Sequence, residues 1–169
     1  QRCRKARIFI DVGAQFGWYT LKASRKIKNP YLILSIEPDE YSFNILLANI
    51  RLNKLRKIVP VKLALSDTDG YLRLDGKIVE CKRLDSLLRA LNVNYDKVDL
   101  IKIDVEGMAL SVLEGALETL NKGRPCLLIE LHGGQENNAI RFLEKLGYNI
   151  NVVTGLESAR VSGLITACK

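Results

Sequence analysis

The 169-residue sequence predicts an α/β fold: a mostly parallel sheet of seven strands, helices on both faces, and an antiparallel hairpin at its end. Three observations predict it. Short β-branched apolar runs alternate with longer amphipathic ones along the whole chain. The first apolar run, ARIFID (6–11), passes into a glycine-bearing loop, VGAQFG, and then into a helical stretch. The last two apolar runs are separated by only about six residues, too few for the crossover helix that parallel neighbours need.

Each element has its own signal. WYTLKASRKIK (18–28) carries Leu21, Ser24 and Lys28 at helical spacing, with Pro30 as a stop. YLILSIE (31–37) is a buried-type strand that Pro38 ends. In 39–53, Phe43, Leu46, Leu47 and Ile50 share a helical face, with Asp39 as N-cap and Glu40 in the first turn. KIVPVKLAL (57–65) reads as the third strand. YLRLDGKIVE (71–80) reads as a hairpin, because Asp75-Gly76 suits a type I′ turn. A short helix (84–93), a fourth strand (98–105) and a helix over 108–120 follow. CLLIELH (126–132) is the fifth strand, a helix over 136–147 ends at Gly147, and two strands at 148–154 and 160–169 finish the chain. Five parallel strands closed by such a hairpin is the arrangement of Rossmann-like class I methyltransferases.

Length and composition bound the function. At 169 residues and 47% hydrophobic content the chain suits one domain, 1–169, with enough apolar surface to exclude disorder as its main state. No apolar run reaches the roughly 18 residues of a membrane span. No signal peptide is visible, since the first apolar stretch stops at Asp11, and Gln1 in place of Met suggests a trimmed chain or a fragment. Cys3, Cys81, Cys126 and Cys168 form no CxxC pair, which leaves a reducing cytoplasm as the default. A single Met beside abundant Lys, Arg, Ile and Leu leans toward a thermophile. The net charge of +7 is uneven: residues 1–57 hold 12 basic and 4 acidic side chains. That excess could draw RNA, an anionic surface or an acidic substrate, or be a solvated helix face. Little aromatic interleaving accompanies it, so a single-strand stacking platform is not indicated.

Gly13 and Gly17 frame the loop after the first strand. Two glycines at this spacing match neither the three-glycine dinucleotide fingerprint nor a Walker loop with its Lys. Asp11 beside the loop would repel pyrophosphate but suits an ammonium group. Glu37, twenty residues after Gly17, ends the second strand, where a carboxylate can accept from both ribose hydroxyls. An amino-acid group with an unphosphorylated ribose describes S-adenosylmethionine (SAM). Plainer readings are a strand-end cap for Asp11 and a helix-start residue for Glu37. Asp67, in ALSD (64–67), would lie where it meets the adenine amino group, or is simply a turn residue.

The strings DVGAQFGWYT, IEPDEYSFNILLANIRLN, ALSDTDG, LDSLL, VDLIKIDVEG, VLEGA and IELH with its later GY stand in one order, over about residues 8–148. In that order and spacing the chain resembles the FkbM family of SAM-dependent methyltransferases. The resemblance implies SAM as cofactor, its methionine end near Asp11, Gly13, Gln15 and Gly17, its ribose at Glu37 and its adenine near Ser66 and Asp67. It places Asp104 and Glu106 toward the transferred methyl group. Two positions depart from the family pattern: Gln15 replaces the usual Asn, and Ala109 replaces a frequent Glu. The family acts mainly on oxygen of small molecules and sugars.

Methyl transfer to a hydroxyl needs alignment of the reacting atoms and removal of a proton. Asp104, Glu106, Glu130 and His132 lie at strand ends of the carboxyl edge, where ligands of open α/β sheets bind. Period-two alternation puts Lys102, Asp104 and Glu106 on one side if the strand stays extended. His132 is the sole histidine and suits a general base, or is a hydrogen-bonded strand-end residue. Lys102 in an apolar strand needs a carboxylate mate, Asp104 or Glu130, which favours a structural role. The acids could hold Mg²⁺ or Mn²⁺, but no spacing is diagnostic and no metal ligand is assigned. The expected function is SAM-dependent O-methylation of a small molecule or carbohydrate, with Asp104, Glu106 and His132 catalytic. RNA methylation is one alternative; the other is a SAM-binding module without catalysis, prompted by Ala109 and the short N-terminus. Nothing in the sequence sets the oligomeric state.

Overall fold

A computed structural model describes residues 6–27, 30–131, 136–154 and 163–168. Its central feature is a seven-stranded sheet in the order β3-β2-β1-β7-β8-β10-β9. The strands are β1 (Ile8–Val12), β2 (Leu32–Ile36), β3 (Ile58–Val61), β7 (Leu100–Asp104), β8 (Cys126–Leu131), β9 (Asn149–Thr154) and β10 (Gly163–Cys168). The first five are mutually parallel. β10 runs antiparallel between β8 and β9, so the terminal hairpin joins the sheet by its second strand.

Alternate residues of β1 serve opposite layers. Ile8, Ile10 and Val12 enter the main core with Ile103, Ile129, Leu113 and Leu120, while Phe9 packs with Ile33, Ala23 and Ile27. The second group sits under α1 (Trp18–Lys26), and α2 (Glu40–Leu52) lies beside β3. On the main-core face, α4 (Ala109–Glu114) packs on β7 and β8, and α6 (Glu136–Lys145) packs on α4 and β9. Asp39 caps α2, its carboxylate accepting the Ser42 N–H at 2.9 Å, and that bond holds its pKa below the ordinary value.

Two expected elements are split. The stretch 57–65 is not one strand: β3 ends at Val61, and β4 (Ala64–Leu65) joins a separate three-stranded sheet with β5 (Gly70–Leu74) and β6 (Lys77–Lys82). The β5–β6 hairpin turns at Asp75 (φ 46°) and Gly76 (φ 80°), as the Asp-Gly dipeptide predicts. The stretch 108–120 is not one helix: α4 stops at Glu114 and α5 (Leu117–Lys122) begins after Ala116. The groups that bond at the break are distant in sequence: the Gly115 carbonyl accepts the Asp85 N–H at 3.1 Å. A β-carbon on Gly115 would lie 2.0 Å from the Ser66 carbonyl oxygen. Asp85, buried in α3 (Leu84–Ala90), then caps α5, accepting from Glu118 N, Thr119 N and the Thr119 hydroxyl at 2.7–3.0 Å. ALSD, LDSLL and VLEGA therefore meet at one packing junction.

Candidate functional site

The strand order reverses direction between β1 and β7, and such a switch point opens a crevice at the carboxyl ends of the strands. The register shows what meets there. Val12 pairs with Ile36 and with Ile103, and Asp104 pairs with Glu130. The next row along the edge is therefore Glu37, Gly13, Asp104 and Glu130. Two rows back lie Ser35, Asp11 and Lys102, a polar row inside the sheet.

Gly13 is required where it stands. Its φ is +70°, and a β-carbon there would sit 1.9 Å from the Asp104 carbonyl oxygen. Gly13→Ala should therefore cost well over the ~1–2 kcal/mol of a left-handed non-glycine residue, since backbone must also move. A thermal melt of this variant within a degree of the parent would contradict that close approach.

The loop's donors are spent internally. Gly13 N and Ala14 N both donate to the Ile36 carbonyl at 3.0 Å, Gly17 N donates to Ala14 O, and Gln15 N donates to Glu37 Oε2 at 2.8 Å. Those four N–H groups form no open nest for a phosphate. Glu37 also accepts Asp39 N at Oε1, 2.9 Å, so one carboxylate ties the loop to the start of α2. Glu37 is 5% exposed. Burial raises its pKa, partly offset by the hydrogen bonds from Asp39 and Gln15.

Asp11 is sealed away at 0% exposure. Its Oδ2 accepts the Thr20 hydroxyl at 2.7 Å, and Thr20 also bonds Ser35. Lys102 Nζ lies 3.4 Å from Asp11 Oδ1 and 3.4 Å from Asp104 Oδ2. The same ammonium donates to Gly13 O at 2.7 Å and Val12 O at 3.3 Å. Lys102 thus pairs with Asp104 as expected, and with Asp11, which the sequence did not suggest. Burial raises the Asp11 pKa, and Lys102 opposes that most strongly. Contact between Asp11 and a ligand needs this pair to open.

The remaining candidates are spread out. The strand ends at Asp104, and Glu106 is exposed in the following turn, so the alternation does not carry it beside Asp104. Ser66 is buried and donates to Asp67 Oδ1 at 2.9 Å, while Asp67 is exposed. Both follow β4 of the small sheet, not the end of a third main-sheet strand. Gln15 is exposed with φ 45°, and Gly17 takes φ 90° ahead of α1. Ala109 is buried in the main core. His132 lies outside the described residues. Among the described residues, no group of three or more His, Cys, Asp or Glu is placed to hold a metal ion.

Tyr19 is a site residue that sequence reasoning missed. Its ring centre lies 5.1 Å from Lys102 Nζ. Burial raises its pKa, and Glu130, Asp104 and Asp11 add to the rise in that order. Its sequence signal was its place in the first turn of the helix after the glycine loop, which alone says nothing about the carboxylates it faces.

Several solved structures share this fold. Methyltransferase FkbM from Methylobacillus flagellatus KT superposes with a TM-score of 0.77 at 19% identity, over 96% of this chain and 43% of that one. This chain therefore spans less than half of that protein's length. Aeropyrum pernix fibrillarin, solved with natively bound S-adenosyl-L-methionine, gives 0.67 at 19% identity, over 99% and 68%. The O-methyltransferase from Bacillus cereus, in complex with SAH, gives 0.66 at 18%, over 99% and 76%. A comparison with curated proteins finds no match. No helix among the described residues is long and apolar enough to cross a membrane. The methyltransferase FkbM domain matches residues 11–150, from the carboxylate of the first strand to the terminal hairpin. The chain belongs to the FkbM methyltransferase domain family.

Proposed function

We propose that this domain is a SAM-dependent methyltransferase that transfers a methyl group to a hydroxyl of a small molecule or carbohydrate. The observation that carries the reading is the Glu37 carboxylate, buried at the carboxyl edge of β2 and tied to the glycine loop. Each of its oxygens accepts one backbone N–H and has a second lone pair for a ribose hydroxyl. The edge beside it is anionic, with Asp104 and Glu130 in the same row, which fits a cationic ligand better than a phosphate. SAM supplies an electrophilic methyl group on a positively charged sulfonium.

The chain's own residues divide the remaining work. Gly13, Gln15 and Gly17 shape the loop against the amino-acid end of the cofactor, and Ser66 and Asp67 take the adenine side. Asp11 supports the loop through Lys102. Asp104, at the switch point, faces the acceptor and holds the proton that a hydroxyl gives up, with Glu106 and His132 as the further acceptor-side groups. Asp104→Asn is expected to lower kcat about 10²-fold, within the range of general-base catalysis, while leaving SAM affinity within about twofold. Equal loss of binding and turnover would move Asp104 to the cofactor side.

A further inference from the structure

The basic N-terminal third has little aromatic interleaving in sequence, but folding supplies it. Where the glycine loop and α1 meet α2 there is a groove of about 500 Å³, walled by Phe16, Trp18, Lys22, Arg25, Lys26 and Asn49. Trp18, the only tryptophan of the chain, is 71% exposed. Tyr41 of α2, 70% exposed, meets the Phe16 ring edge-on at a centroid distance of 6.3 Å. Phe16 and Trp18 line the groove and Tyr41 borders it through its contact with Phe16, and exposed aromatic residues placed together in this way mark a contact surface. Lys22, Arg25 and Lys26 fall at i, i+3 and i+4, on one face of α1. Among the described residues, no carboxylate lines the groove.

We propose that this groove docks single-stranded RNA. Bases stack on the aromatic rings, and the three cations neutralise phosphates. A duplex keeps its base faces buried and cannot use the rings. An acidic peptide would use the charges and leave the rings idle. Asn49 lines the groove and donates its side-chain N–H to the Phe16 carbonyl at 2.8 Å, and in the docked complex its Oδ1 is the acceptor left for the ligand. A ribose 2′-hydroxyl satisfies that acceptor, and a deoxyribose does not. The groove adjoins the proposed cofactor loop at Gly17, one of its lining residues, but shares no side chain with Glu37 or Asp104, so the two readings are tested separately.

Trp18 fluorescence reads the groove directly. Titration with a uridine dodecamer at about 50 mM salt should give saturable quenching. Three phosphate contacts imply a log–log salt slope of about −2, or about 20-fold weaker binding at about 200 mM. The triple variant Lys22→Gln, Arg25→Gln, Lys26→Gln should abolish binding, with helix content unchanged by circular dichroism. Tyr41→Ala should weaken binding about tenfold and leave the slope unchanged. Absence of saturable quenching at low salt would overturn the proposal. Equal affinity for a thymidine deoxydodecamer would overturn the RNA assignment. Equal affinity for heparin, with no effect of Tyr41→Ala, would overturn stacking and leave a surface that reads charge alone. A parallel SAM titration tests the methyl-transfer reading on its own.

Discussion

Replacing Lys102 with methionine is expected to destabilise the protein by about 3–5 kcal/mol, or about 10 °C in Tm for a chain of this size. Methionine fills much of the same volume, so packing is not the main loss. Asp11, at 0% exposure, loses the ammonium 3.4 Å from its Oδ1 and keeps the Thr20 hydroxyl on its Oδ2. The Gly13 and Val12 carbonyls lose their Lys102 donor as well. The penalty depends on pH with a definite sign. Burial already raises the Asp11 pKa above 3.8, and Lys102 is the strongest opposing influence. Removing it raises the pKa further. A carboxyl whose folded pKa exceeds its unfolded one costs stability as pH climbs from its ordinary value through the raised one. The deficit of Lys102→Met should therefore be smallest in acid and grow toward neutrality. The double variant Asp11→Asn, Lys102→Met should recover most of it. Melting curves between about pH 4 and 8 check this; a deficit independent of pH would reduce Lys102 to a packing residue.

Glu37→Ala is expected to weaken SAM binding about 100-fold, since two hydrogen bonds to a charged group contribute about 1.5 kcal/mol each. The fold should survive, because the Gln15 and Asp39 N–H groups it releases are only part-buried. Affinity should also fall in acid. Burial raises the Glu37 pKa, and as pH drops through that raised value the group takes a proton and loses acceptor capacity. Calorimetric titration with SAM and with its demethylated product measures both effects. Unchanged affinity in Glu37→Ala would remove the ribose assignment.

Much of the fold was legible because its signals are local. Asp75-Gly76 specifies its hairpin turn through the backbone preferences of two residues. Asp39 caps α2 across three residues. The antiparallel ending follows from the short connection between the last two apolar runs. What failed depended on partners distant in sequence. Nothing in residues 108–120 shows that Asp85 will take the Glu118 and Thr119 N–H groups and donate its own N–H to the Gly115 carbonyl. Nothing near Asp104 says that the strand stops there and leaves Glu106 in a turn.

The candidate site divides the same way. The sequence by itself determined the family and the residue types at the strand ends, because glycine loops, terminal carboxylates and their spacing are written in contiguous strings. Only the tertiary structure decided which of them meet. Lys102 reaches the Gly13 carbonyl across 89 positions of sequence, and sheet register, not spacing, sets Glu37, Gly13, Asp104 and Glu130 in one row. The aromatic rings and cations between α1 and α2 come together for the same reason. Close-packed neighbours in a parallel sheet are chosen by strand order and layer packing, which are properties of the whole chain.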